Sequence, residues 1–208
     1  MPQDVHTGSD RTRSVAIERI LEVAGAEAER VGPDRMRMGE IARRAEVSRA
    51  SLYRYFASKD DLIRAWTTRE FDRIFADADA AAAAADSFEE RLAAGFASAL
   101  VALRSHPVFR SVVAVNNGQM TRSTLESPDA LGHAREMLQE RFNGAVRAGR
   151  IEVGQFDAAI AGELIARLAI SLTITPETIG RLDSEEDVRG FAERYVAPLV
   201  RQLQAAAR

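Results

Sequence analysis

Apolar residues recur at three- and four-residue spacing from end to end of the chain, and β-branched residues nowhere alternate with polar ones for long. That rhythm is helical, so the chain is expected to be all-α with about nine helices. The first periodic segment runs Val15, Ile17, Ile20, Leu21, Ala24, Ala28, Val31 and stops at Gly32-Pro33, where glycine suits a left-handed cap and proline breaks the helix. Two short segments follow, Met38 to Ala45 and Arg49 to Phe56, joined by Glu46-Val47-Ser48, with Ser48 placed to cap the second. Ser58 then caps a longer helix through Leu62, Trp66, Phe71 and Phe75, which ends in the alanine run 80–85. Alanine is the best helix former, so this run reads as a helix end or a short connector.

Beyond it, helices are expected at 87–105, 107–117, 128–149, 155–174 and 184–206, separated by turn signals such as His106-Pro107, Ser127-Pro128, Gly149 to Gly154 and Thr175-Pro176. The expected organisation is an N-terminal arm over 1–13, a three-helix unit over 14–60, a connecting helix over 61–85 and a helical body over 86–208.

Of the 208 residues 46% are hydrophobic, enough for a sizeable core. No stretch approaches the roughly 20 apolar residues that span a bilayer, and residues 1–14 are polar where a secretory leader would be apolar, so a cytoplasmic protein is expected. There is no cysteine, and His6, His106 and His133 are scattered, so neither a disulfide nor a metal site is expected. No Ser-His-Asp order, carboxylate pair or glycine-rich phosphate loop stands out, which points away from an enzyme and from a cofactor.

Charge changes the picture. The net charge is −3, yet residues 35–59 carry seven basic side chains against two acidic ones, a net of +5 that leaves −8 on the rest. A short basic segment on an acidic body suits DNA phosphate, since the body alone would repel it.

That segment also has the internal logic of a helix-turn-helix over 38–56. Ile41, Ala42 and Ala45 face inward from the first helix, Val47 plugs the turn, and Leu52 and Phe56 anchor the second, with small Ala42 allowing a close crossing. The outward positions of the second helix, Arg49, Ala50, Ser51, Tyr53, Arg54 and Tyr55, lie where a recognition helix meets the major groove. Other readings stay open: Arg43 and Arg44 also suit a solvated face paired with Glu40 and Glu46, and one of the two tyrosines also suits a partly buried position.

Ile41-Ala42, Ala45, Val47-Ser48, Leu52-Tyr53, Tyr55-Phe56, Ser58-Lys59 and Leu62 resemble, in order and spacing, the signature of the TetR family of bacterial regulators. The resemblance is specific over 15–66. It implies that Tyr53 and Lys59 clamp backbone phosphates and that Arg49, Ala50, Ser51 and Tyr55 approach bases or phosphates, while Ser48 and Arg54 complete the candidate DNA-binding set with Arg37. Arg37 stands where the family usually has a capping Thr or Ser. It still reaches phosphate but cannot cap in the same way. Glu46 replaces the usual turn glycine, which puts a side chain where a left-handed backbone is expected, at a cost of roughly 1 kcal/mol.

Over 86–208 the resemblance covers only helix count and order. It implies a homodimer through 155–174 and 184–206, whose apolar surfaces suit a four-helix seam, and a pocket for a small-molecule effector. Candidate pocket residues are Phe96, Leu100, Phe109, Val113, Asn117, Leu138 and Phe142, with His133 as a polar contact, while Glu163 and Arg167 are spaced for a helical ion pair. The function implied is a repressor released from a pseudo-palindromic operator by an apolar ligand. The alternative is a small-molecule-binding or hydrolytic helical protein that makes no use of DNA, although such a protein has no need of the basic segment.

Overall fold

The computed structural model describes residues 5–107, 110 and 128–206. They are helical and contain no strand. Eight helices follow in order: α1 Val5–Val31, α2 Met38–Arg44, α3 Arg49–Tyr55, α4 Lys59–Ala82, α5 Phe88–Ser105, α6 Pro128–Arg147, α7 Gln155–Ile174 and α8. The last, α8, opens at Glu185–Phe191, passes through a π turn at Ala192–Val196 and closes as Ala197–Ala206. Helix α1 begins at Val5, so most of the stretch expected as an arm is helix. The helix contains no proline, and its two glycines, Gly8 and Gly25, do not stop a helix that long. Of the helix expected over 107–117, all but positions 107 and 110 lie outside the described residues, and with them Phe109, Val113 and Asn117.

The chain divides into two compact units, Met1–Glu70 and Phe71–Arg208. The division falls inside α4 rather than at the alanine run, whose first residues close that helix. In the first unit Ile20, Ala24, Ile41, Ala42, Leu52, Leu62 and Trp66 are buried. Gly25 lets α1 approach α4 closely: a Cβ there would stand 2.9 Å from the Trp66 indole nitrogen. Gly32, at φ +82°, releases the chain from α1 into a short 3-10 turn over Pro33–Arg35.

The second unit packs α5, α6, α7 and α8 around Phe96, Leu100, Phe142, Ala161, Ile165, Val188 and Val196. Helices α6 and α7 pack so closely at Gly162 that a Cβ there would lie 3.3 Å from the Gln139 backbone nitrogen. Capping boxes start two of these helices, Ser87 with Glu90 on α5 and Ser184 with Asp187 on α8. Helix α6 ends in a Schellman turn, with Gly149 at φ +65° and the Arg150 N–H donating to the Ala145 carbonyl.

Candidate nucleic-acid interface

The turn between α2 and α3 is a second Schellman motif. The Glu46 N–H donates to the Arg43 carbonyl and the Val47 N–H to the Ala42 carbonyl, at 3.3 and 3.0 Å. Glu46 occupies the left-handed position with φ 54°, the conformation its place in the sequence led us to expect. Its carboxylate pairs with Arg19 of α1 and not with Arg43 or Arg44, because the left-handed residue projects away from α2.

Ser48 then caps α3. Its hydroxyl oxygen accepts the Ser51 N–H at 3.0 Å, and its O–H donates to the Ser51 hydroxyl at 2.9 Å. With Leu52 fully buried and Phe56 nearly so, α3 is pinned by one face, and Arg49, Ala50, Tyr53 and Arg54 are left exposed. Ser51 and Tyr55 are half-buried. The Arg54 guanidinium lies 5.2 Å from the centre of the Tyr55 ring, so Tyr55 is the partly covered tyrosine and Tyr53 the open one. Arg37 is exposed in extended backbone ahead of α2, and its side chain makes no capping bond. Lys59, at the start of α4, donates from Nζ to the Asp34 carbonyl at 2.9 Å, which ties the 3-10 turn to α4.

Local charge pairing divides the basic segment in two. Glu40 accepts from Arg43 Nη2 at 2.6 Å and from Arg44 Nε at 2.7 Å, and these bonds hold its carboxyl down at about 2. Arg44 also reaches the buried Glu27, which the Arg30 guanidinium holds below the usual carboxylate range. Arg43 and Arg44 are thus held on a solvated face, as one of the two open readings had it. Arg35, Arg37, Arg49 and Arg54 form no ion pair among the described residues, so the uncompensated positive charge belongs to the edge formed by the 3-10 turn, the start of α2 and α3.

The second unit holds a cavity of about 350 Å³, lined mainly by apolar groups of α4, α5, α6 and α7. Phe96, Leu138 and Phe142 line it, as expected. Leu100 does not. It is fully buried in the core, one position round α5 from the cavity face that Phe96, Ala99 and Leu103 form. His133 bonds through Nε2 to Asp72 at 3.0 Å, and Glu163 pairs with Arg167 at 2.8 Å. Phe71, Ile74 and Phe75 of α4 also line the cavity and were missed. Their three- and four-residue spacing is the available signal on a stretch expected as the connecting helix.

The profile of the bacterial regulatory proteins of the tetR family matches residues 20–66. The HTH-type transcriptional repressor KstR of Mycolicibacterium smegmatis is 41% identical over 75 residues, which are 36% of this chain and 37% of that protein. The uncharacterized HTH-type transcriptional regulator MT1294 of Mycobacterium tuberculosis is 28% identical over 205 residues, covering 96% of this chain and 93% of that protein. Among solved structures, the TetR family repressor AlkX from Dietzia sp. has the same fold, with a TM-score of 0.69 at 21% identity over 89% of this chain and 95% of that one. With the helix-turn-helix geometry at residues 38–56, these matches show that residues 20–66 form a DNA-binding domain like that of the bacterial regulatory proteins of the tetR family, and that the chain shares the fold of a TetR family repressor.

Proposed function

We infer that the protein is a repressor that grips a pseudo-palindromic operator as a homodimer and lets go when a small apolar ligand enters the second unit. The observation that carries the DNA half is the contrast on the basic segment: Arg43 and Arg44 are neutralised by acids, while Arg37, Arg49 and Arg54 stand exposed around a capped α3. Arg49, Ala50, Tyr53 and Tyr55 would meet bases or phosphates, and Ser48, Ser51, Arg54, Arg37 and Lys59 would set the register on the backbone. Residues 14–60 are then the DNA-binding part and 86–208 the effector and dimer part, joined by α4, whose first residue is Lys59 and whose later Phe71 and Phe75 line the cavity.

The dimer reading is supported by the apolar side chains that α7 and α8 leave exposed: Ile160 and Leu164 on one, Tyr195 and Leu199 on the other. Side chains of this size, left out on two adjacent final helices, suit the four-helix seam of a twofold dimer. Such a dimer would space its recognition helices by about one DNA turn, roughly 34–36 Å, or somewhat more. The protein is read as cytoplasmic and without catalytic activity, and no helix among the described residues is long and apolar enough to cross a membrane.

The test is selection of binding sites from random duplexes, with light scattering on the free protein. An inverted-repeat consensus bound by a dimer is expected. A monomer at micromolar concentration, or no sequence preference over random DNA, sinks the reading.

A further inference from the structure

The cavity of the second unit is polarised from end to end. At one end Phe71 of α4, Leu103 of α5 and Ala134 of α6 meet in one apolar cluster. At the other, where α4 finishes, α5 starts and α6 finishes, its lining carries four charged side chains: Asp79, Arg91, Arg141 and Arg150. The edge-to-face contact of Phe88 with Phe142, 5.5 Å between ring centres, brings the first turn of α5 to the last turns of α6 and so gathers these groups at one end.

Two of the four cancel. Arg141 forks onto Asp79 at 2.6 and 2.8 Å and lies 4.7 Å from the centre of the Phe75 ring. The other two do not. Arg91 donates to the Ala85 carbonyl at 2.9 Å, a neutral acceptor that leaves its charge uncompensated. Arg150, set by the Gly149 turn just beyond α6, is exposed and forms no ion pair among the described residues. A purely apolar occupant would leave the half-buried Arg91 beside it without a counter-charge, and a cationic one would be repelled by both arginines. A guanidinium fork fits a carboxylate or a phosphate. At about 350 Å³ the cavity lies at the small end of ligand pockets, which suits a chain of on the order of ten carbons.

We propose that the effector is an aliphatic chain of about ten carbons with an anionic head, its tail at the Phe71, Leu103 and Ala134 end and its head at Arg91 and Arg150. This rests on the reading of the cavity as the effector site and narrows it to a chemical class. The acid head sits where α4 runs out into the 83–87 connection, whose Ala83 and Ala85 carbonyls Arg91 already holds. An anion at Arg91 therefore competes with that tether and bears directly on the end of α4.

The experiment is calorimetric titration of the full-length protein with decanoate, decyl phosphate, decan-1-ol and decylamine, each below its micelle concentration. At least one of the two anions should bind roughly tenfold or more tighter than the alcohol, with the amine weakest. Decanoate ahead of decyl phosphate assigns a carboxylate head, and the reverse order a phosphate head. Arg150→Gln should remove most of that preference without touching alcohol binding, and Arg150→Lys should restore part of it. Arg150 makes no side-chain hydrogen bond or ion pair among the described residues, so both variants should melt with the wild type. Equal affinity for anions and alcohol, or a preference that survives Arg150→Gln, overturns the acidic class while leaving an apolar effector in place. Failure of all four to bind overturns both.

Discussion

The guanidinium of Arg49 lies over Gly39, so close that a Cβ on that glycine would collide with Nη2. The first residue of α3 therefore rests on the first turn of α2, and a missing side chain sets where the leading candidate base-reader points. Because the collision is with the far end of a flexible side chain, Gly39→Ala should leave the fold intact and even favour α2 by up to about 1 kcal/mol through helix propensity. Arg49 would swing outward. The expected outcome is an unchanged or raised melting temperature with altered operator selectivity in a binding-site selection. Lost stability would show instead that Gly39 serves the packing of α2.

Arg49 and Lys59 should separate when each is removed. Arg49→Ala is expected to weaken the operator by about 1–3 kcal/mol and relax its sequence preference, since a base contact discriminates. Lys59→Ala should weaken operator and random duplexes alike. Its second effect is structural, because Lys59 Nζ also holds the Asp34 carbonyl, so Lys59→Ala should cost some thermal stability as well. Fluorescence anisotropy on both duplexes reads the two patterns, and identical losses for both variants on both DNAs would refute the division.

The two Schellman turns make an internal comparison. Gly149 occupies the left-handed position of one and Glu46 that of the other, at φ 65° and 54°. Glu46→Gly should relieve roughly 1 kcal/mol of backbone cost. It also deletes the exposed ion pair with Arg19, which is worth only about 0–1 kcal/mol. The balance favours a more stable glycine variant. Arg19→Ala measures the pair alone, and if its cost added to the gain of Glu46→Gly comes to nothing rather than to roughly 1 kcal/mol, the account of the turn is wrong.

Much of this was legible in the sequence because its signals are local. Ser48, Glu46 and the Gly154 to Thr175 boundaries of α7 depend on the few residues around them, and the structure places them as expected. What was not legible depends on contacts across the chain. Arg44 finds Glu27, seventeen positions earlier on another helix, and no spacing rule announces that. The π turn at Ala192–Val196 interrupts a stretch whose apolar pattern reads as one unbroken helix. The cavity residues of α4 were hidden for a related reason: the aromatic spacing of Phe71 and Phe75 shows a buried face but not what it is buried against.

Glu40 gives a pH signature. Its carboxyl is held at about 2 in the fold by the Arg43 and Arg44 hydrogen bonds, below the usual 4.5. A group lowered on folding favours the fold while it is charged. The contribution is present above about 4.5 and is lost as pH falls from there toward 2. Glu40→Gln should therefore show a shallower decline of melting temperature than the wild type between pH 4.5 and 2, and a parallel decline would exclude Glu40 as a source of the acid sensitivity. The same substitution frees Arg43 near the interface, while Arg44 keeps its pair with Glu27, so it should also raise affinity for random DNA and steepen the salt dependence.

Arg104 carries the last prediction. Near the end of α5 its guanidinium donates to the Leu172 carbonyl from Nε and Nη2, at 3.2 and 3.1 Å, and to the Leu182 carbonyl from Nη1, at 2.6 Å. Leu172 lies in the final turn of α7, where carbonyls have no partner within the helix, and the Leu182 side chain is buried in the connection to α8. One half-buried cation thus closes one helix and anchors the approach to the next. Hydrogen bonds to a charged group contribute about 1.5–3 kcal/mol each when their loss strands a buried acceptor. Relaxation of the α7 end can recover part of the loss, so Arg104→Leu is expected to cost about 2–4 kcal/mol in all rather than the full sum. Arg104→Lys keeps the charge but has no planar fork, and one ammonium cannot span both carbonyls, so it should recover less than half of the loss. Urea denaturation followed by circular dichroism measures all three proteins. A full rescue by lysine would mean that charge near the end of α7 matters and the fork does not. No loss in Arg104→Leu would remove Arg104 from the groups that hold α7 and α8 in place.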